Sequence, residues 1–164
     1  MFHDSTFSLF TFSLVIPAYA KMVLLSALVG LLIGLEREYR GKAASLRTFS
    51  TIAVGSCLFT ILSVEAAGGE LASPHDITRI AAQIVSGIGF LGGGVIFKST
   101  DRIEGITTGA LVWLSSAMGM ACGFNRISLT CWVLLLVVLL HFIVLLLYRI
   151  IYYFRLRNSS FYQT

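Results

Sequence analysis

Residues 127–148, ISLTCWVLLLVVLLHFIVLLLY, run for 22 positions without an Asp, Glu, Lys or Arg. Roughly 20 apolar residues in a helix cross a hydrocarbon core about 30 Å thick, so this stretch reads as a membrane span. Three further charge-free runs, at 48–64, 80–97 and 105–125, hold 17, 18 and 21 residues. A fifth, from Ser5 to Leu35, is interrupted only by Lys21. Its part ending at the charge cluster, about 17–35, is the natural first span, with the Lys21 stem reaching the headgroups at its outer end.

These runs predict an all-α fold: an integral membrane bundle of five transmembrane helices at about 17–35, 48–66, 79–97, 105–123 and 128–148. The five-helix domain is therefore 17–148, between an outer N-terminal segment 1–16 and a basic cytoplasmic tail 149–164. The segment 1–16 carries Asp4 where a secretory leader has a basic region, and shows no convincing small-residue cleavage site, so it is expected to stay in the mature protein. It either lies along the interface or extends the first helix past Pro17.

Of the 164 residues, 57% are hydrophobic and 12% charged, half the charge of a soluble domain. Five spans of roughly 20 residues leave only short loops, with no room for a folded soluble catalytic or nucleic-acid-binding domain. The net charge of +4 is thus a topology signal and not a footprint for nucleic acid. With the loop after the first span in the cytoplasm, nine basic residues fall inside (Arg37, Arg40, Lys42, Arg47, Lys98, Arg102, Arg149, Arg155, Arg157) and three outside (Lys21, Arg79, Arg126). That bias predicts N-terminus out and C-terminus in, and Tyr148, Tyr152 and Tyr153 supply an aromatic belt at the inner interface. Cys57, Cys122 and Cys131 match neither a disulfide framework nor a metal spacing and read as small apolar fillers.

Association of helices in lipid depends on close backbone approach, which small residues four apart permit. The first span offers Ser26, Gly30 and Gly34, the third Gly89 and Gly93 within GIGFLGGG, and the fourth Gly105 with Gly109, then Ser115, Gly119 and Gly123. These three spans are expected to form the packed centre, with the glycine-free fifth span peripheral. The run Gly92, Gly93, Gly94 weakens a helix by about 1 kcal/mol per glycine relative to alanine. It marks a tight crossing, a bend, or a break that frees backbone groups to line a cavity.

Unusual polar chemistry gathers at the inner ends of four spans: Glu36, Arg37, Glu38 and Arg40; Arg47, Thr48, Ser50 and Thr51; Lys98; and Glu104, Thr107 and Thr108. Glu36 and Arg47 flank a short loop and are expected to pair at the membrane boundary. Most of these basic residues need no role beyond orientation, but the positive-inside rule does not call for Glu36. The threonines either back-bond to helix carbonyls or offer hydroxyls to an ion or partner. Within the spans, Gln83 lies one turn before Gly87 and suits an interhelical hydrogen bond, and His141 suits a satisfied contact or an oligomer interface. The outer loop holds Glu65, Glu70, His75 and Asp76, a solvated set or a weak cation site. There is no GxSxG, phosphate loop or HExxH, and GIGFLG lacks the strand a dinucleotide site requires.

Three blocks, GLLIGLEREYRGKAASLRT at 30–48, RIAAQIVSGIGFLGGGVIF at 79–97 and GITTGALVWLSSAMGMACG at 105–123, resemble the signatures of the MgtC/SapB family of bacterial inner-membrane proteins. The resemblance implies a five-span inner-membrane protein linked to growth in low magnesium and, in pathogens, to virulence and survival inside macrophages. It also implies action on the ATP synthase and membrane potential without a magnesium-pump role. The residues carried over by position are Glu36, Arg37, Arg47, Thr48, Gln83, Gly87, Gly89, Gly92, Gly93, Gly94, Thr107, Thr108 and Trp113. The family usually has Ala-Gly-Leu-Arg-Thr where this chain has Ala44, Ser45, Leu46, Arg47 and Thr48, so a glycine-dependent turn is expected to differ. Better-known members carry a cytosolic C-terminal domain, and the chain is expected to be a short form without it.

Two functions follow as expectations. One is a non-enzymatic, homo-oligomeric regulator in the bilayer whose glycine faces engage itself or another membrane complex such as the ATP synthase. The other is an oligomeric transporter or channel for magnesium or a monovalent cation, with Glu36 as its carboxylate and Thr107 and Thr108 as oxygen donors. No cofactor is required by the first, and a cation is the only candidate for the second. A third reading has Arg37, Arg40, Lys42 and Arg47 recruit anionic lipid to the inner face.

Overall fold

A computed structural model of the chain describes the backbone of residues 4–68 and 74–159 and the side chains of residues 19–68 and 78–153. Among these it has five helices: α1 (Asp4–Tyr39), α2 (Leu46–Ala66), α3 (Pro74–Gly94), α4 (Ile106–Gly123) and α5 (Ile127–Ser159). A hairpin of two-residue strands, β1 (Phe97–Lys98) and β2 (Ile103–Glu104), joins α3 to α4, with Phe97 opposite Glu104 and Lys98 opposite Ile103. Four stretches, Tyr19–Tyr39, Leu46–Ala66, Ile106–Gly123 and Ile127–Tyr153, are each long and apolar enough to cross a membrane. The chain is an all-α membrane bundle, the form in which a spanning backbone satisfies its own polar groups.

The helix ends follow from local chemistry. α1 runs unbroken through Pro17 and stops at a left-handed glycine, Gly41 (φ +61°), whose N–H donates to the Glu38 carbonyl while that of Lys42 donates to Arg37. That wrapping satisfies the last carbonyls of the helix. The turn into α2 needs no second glycine, because Ser45 is extended (φ −141°) as the N-cap. Serine therefore sits without strain where the family has glycine. α3 ends on the glycine run itself, and the expected third span is shorter at its inner end, because Phe97 belongs to the hairpin. Gly105 then starts α4 at φ +87°, where a Cβ would lie 1.8 Å from the Val95 carbonyl oxygen, so only glycine fits.

Residues 1–127 and 128–164 form two compact units. In the first, α2 is the helix on which the packing converges. A Cβ on Gly30 of α1 would stand 2.5 Å from the Phe49 carbonyl oxygen, and one on Gly34 would stand 2.7 Å from the Leu46 Cα. From the other side, a Cβ on Gly119 of α4 would meet the Ala53 oxygen at 2.1 Å, and one on Gly123 the Cys57 oxygen at 2.7 Å. The expected centre of first, third and fourth spans is corrected to α1, α2 and α4. The reason is that a close crossing needs glycine on one partner only, and α2 receives both glycine faces on its own stripe of Phe49, Ala53 and Cys57, all fully buried.

Hydroxyls tie α2 to α4 as well. Ser56 and Ser116 share a hydrogen bond of 2.8 Å between α2 and α4, and the Ser115 hydroxyl donates to the Phe49 carbonyl at 2.9 Å. Ser26 and Thr60 donate back to the Val23 and Ser56 carbonyls of their own helices. Among the described residues no buried polar side-chain atom lacks a partner. Interhelical bonds of this kind average about 0.6 kcal/mol in a membrane, and they also fix register. Cys57 and Cys122 are buried in this core and Cys131 is exposed, none of them in a disulfide.

In the second unit α5 presents large apolar side chains such as Leu135, Phe142 and Leu146 half exposed or more, which suits contact with hydrocarbon. His141 is satisfied within its own helix, Nδ1 donating to the Val137 carbonyl at 2.9 Å.

Candidate functional site

At the inner end of α1 the last turn puts two guanidiniums around one carboxylate. Arg37 reaches its neighbour Glu36 through Nε to Oε2 and, at 2.7 Å, through Nη2 to Oε1, while Arg40, four residues after Glu36, shares Oε1 through its own Nε. Arg37 is only 5% exposed, so its charge is held where an unpaired guanidinium would be costly, and a two-pronged bond to carboxylate is the geometry that offsets this. The ion pairs seen for Glu36 thus stay at the C-terminal end of α1, with Arg40 one residue past it. Arg47, the partner expected across the loop, is exposed at the start of α2. The sequence assigns Arg40 to orientation and to anionic lipid and not to Glu36, although its i,i+4 spacing from Glu36 is the available signal.

The threonines divide. Thr48 and Thr107 are exposed, and Thr108 is buried. Next to Thr108, Gly109 faces Gly92 of α3: a Cβ on Gly109 would lie 2.8 Å from the Gly92 carbonyl oxygen. The α3–α4 crossing is thus tight on the Gly109 side, while a Cβ on Gly92 would stand an ordinary 3.5 Å from the Gly109 carbonyl oxygen.

The other α3 glycines do something else. A Cβ added at Gly87, Gly89, Gly93 or Gly94 would meet nothing within 4 Å. At 100° per residue, Ser86, Gly89, Phe90 and Gly93 share the side of α3 turned away from the Ile88 and Gly92 stripe that is buried. Phe90 stands 83% exposed there. Gln83 and Gly87 lie about 20° and 60° further round the helix from Phe90 and are likewise exposed, and so is Trp113 on α4. Gly30 and Gly34, by contrast, are spent inside the bundle.

At the far end of the bundle Glu65 accepts a hydrogen bond of 2.5 Å from the Tyr19 hydroxyl, locking α1 to α2. Of the other outer-loop acids, Glu70 and the side chains of His75 and Asp76 lie outside the described residues. Among the described residues no three His, Cys, Asp or Glu side chains converge into a metal-binding group.

Comparison with known proteins gives a consistent result. The model of the MgtC family matches residues 23–150. A protein named MgtC from Brucella abortus is 48% identical over 101 residues, covering 62% of this chain and 40% of that protein. SapB of Bacillus subtilis is 45% identical over 103 residues, 60% of this chain and 44% of its own length. MgtC of Salmonella typhimurium is 42% identical over 108 residues, 66% of this chain and 44% of its own. The match therefore spans less than half of each of these relatives. No solved structure matches. With the three glycine-bearing blocks, the helical order and a family match over most of its length in agreement, the chain belongs to the MgtC family.

Proposed function

We propose that this protein is a non-enzymatic regulator in the bacterial inner membrane that works by helix-to-helix contact. The observation that carries the reading is the open face of α3. Gly89 and Gly93, with Phe90 between them, offer backbone-level access to an incoming helix, while the glycines of α1 and α4 are consumed by internal packing. The occupants of that face are a second copy of the chain and the spans of another membrane complex, the ATP synthase being the one implied by family membership. Through it the chain would influence membrane potential, growth in low magnesium and, in a pathogen, survival within macrophages.

The inner rim supports this reading over ion conduction. Glu36, the carboxylate a cation would need, is already engaged by Arg37 and Arg40, and an entering cation would have to displace both. The test is Gly93→Leu. It should abolish co-purification of membrane partners and of a differently tagged second copy, and wild-type protein reconstituted in liposomes should remain ion-tight. Magnesium or monovalent cation flux from those liposomes, lost in Glu36→Gln, would overturn the proposal in favour of a transporter.

A further inference from the structure

α2 and α3 stand apart along one flank, and the gap has the dimensions of a lipid. A groove of about 500 Å³ runs between them, walled by Thr51, Gly55 and Phe59 of α2 and by Ile80, Gly87 and Leu91 of α3. Glycine opens both walls, since a Cβ at Gly55 or at Gly87 would meet nothing within 4 Å. From Ile80 to Leu91 the groove covers roughly 16 Å of helix at 1.5 Å per residue, about half the hydrocarbon thickness of roughly 30 Å. That is the depth of one leaflet.

Among the described residues the groove stays open at its upper end. It continues, through the shared residues Ile80 and Gln83, into a second recess of about 630 Å³ bounded by Ser63 and Ala67 at the end of α2 and by Arg79 and Ala82 of α3. This upper recess mixes polar and apolar walls and holds one guanidinium, that of Arg79. By the distribution of basic residues it faces the outer leaflet, where arginine is least expected. Gln83 lies one turn deeper, exposed inside a charge-free run of 18 residues, where an amide facing bare hydrocarbon is costly.

We infer that this groove binds an anionic glycerophospholipid of the outer leaflet. Arg79 takes the phosphate with charge-assisted hydrogen bonds. Gln83 donates to an ester carbonyl one turn below. One acyl chain lies along Gly55 and Gly87 toward Thr51 and Leu91. An apolar transmembrane helix is the poorer occupant, because it brings no anion to the Arg79 guanidinium at the upper end of the groove. A single extended hydrocarbon chain fits within it. This surface is the flank of α3 opposite to the Gly89 and Gly93 face, so the two proposals stand or fall separately.

Native mass spectrometry of the protein released from phosphatidylcholine nanodiscs, with phosphatidylglycerol as the minor component, tests the assignment. Wild type should retain phosphatidylglycerol selectively. Arg79→Gln should lower that retention by about tenfold or more, as loss of a charge-assisted contact does, while Arg126→Gln, another outer arginine, leaves it unchanged. Gly87→Leu, and independently Gly55→Leu from the opposite wall, should abolish retention of both lipids by filling the acyl track. Equal retention in wild type, Arg79→Gln and either leucine variant overturns the inference. So does retained lipid together with a change from dimer to monomer in the leucine variants, which would make a second copy the occupant.

Discussion

The glycines of α1 and α4 and the glycines of α3 come from the same compositional signal and have opposite fates. Gly30, Gly34, Gly119 and Gly123 are each pressed against the backbone of α2, closer than a side chain allows. Gly87, Gly89, Gly93 and Gly94 face open space. A buried glycine in a membrane bundle is explained by the neighbour it admits. An exposed one costs helix stability with no internal return, so it points to a contact made outside the chain.

That difference can be broken by substitution. Among the glycines pressed on α2 the largest effect is expected at Gly119→Ala, whose Cβ would meet the Ala53 oxygen at 2.1 Å, backbone that cannot step aside. Overpacking of this kind costs about 3 kcal/mol. It should appear as a clear fall in melting temperature in mild detergent, and an unchanged melt would dissolve the contrast. Gly105→Ala should cost at least as much, because it adds a strained left-handed backbone to a closer clash, 1.8 Å from the Val95 carbonyl oxygen. Ser116→Ala removes the partner of Ser56 and should cost about 1 kcal/mol, measurable by unfolding titration in mixed micelles. Smallest is Gly93→Ala on the open face, where stability should hold or rise by a few tenths of a kcal/mol, since alanine is the better helix former. A large loss there would mean that this face is already packed.

Much of the architecture was readable beforehand because bilayer thickness dictates it: charge-free runs near 20 residues leave few alternatives to spanning helices. Gly92 and Gly109 were also readable as a crossing, being small residues on facing spans. The role of α2 was not, because its sequence has only Gly55 and no small-residue repeat of the usual glycine kind. Reading glycines helix by helix misses the partner that receives them. Likewise, Glu36 was recognisable as an unusual carboxylate, yet its partners were looked for across the loop when the helix already supplied Arg40 one turn on. The Ser56–Ser116 bond and the groove at Gly55 depend on how two helices face each other, which no single span encodes.

The central claim is that the exposed side of α3 touches protein in the membrane. Replacing Phe90, which is 83% exposed between Gly89 and Gly93, with a photoreactive phenylalanine analogue puts a probe on that face with little change of shape. The same analogue at Phe142 of α5, 66% exposed, is the lipid-facing comparison. On irradiation of intact cells the account predicts discrete protein adducts from position 90 and lipid adducts alone from position 142. Lipid adducts alone from position 90 would contradict it.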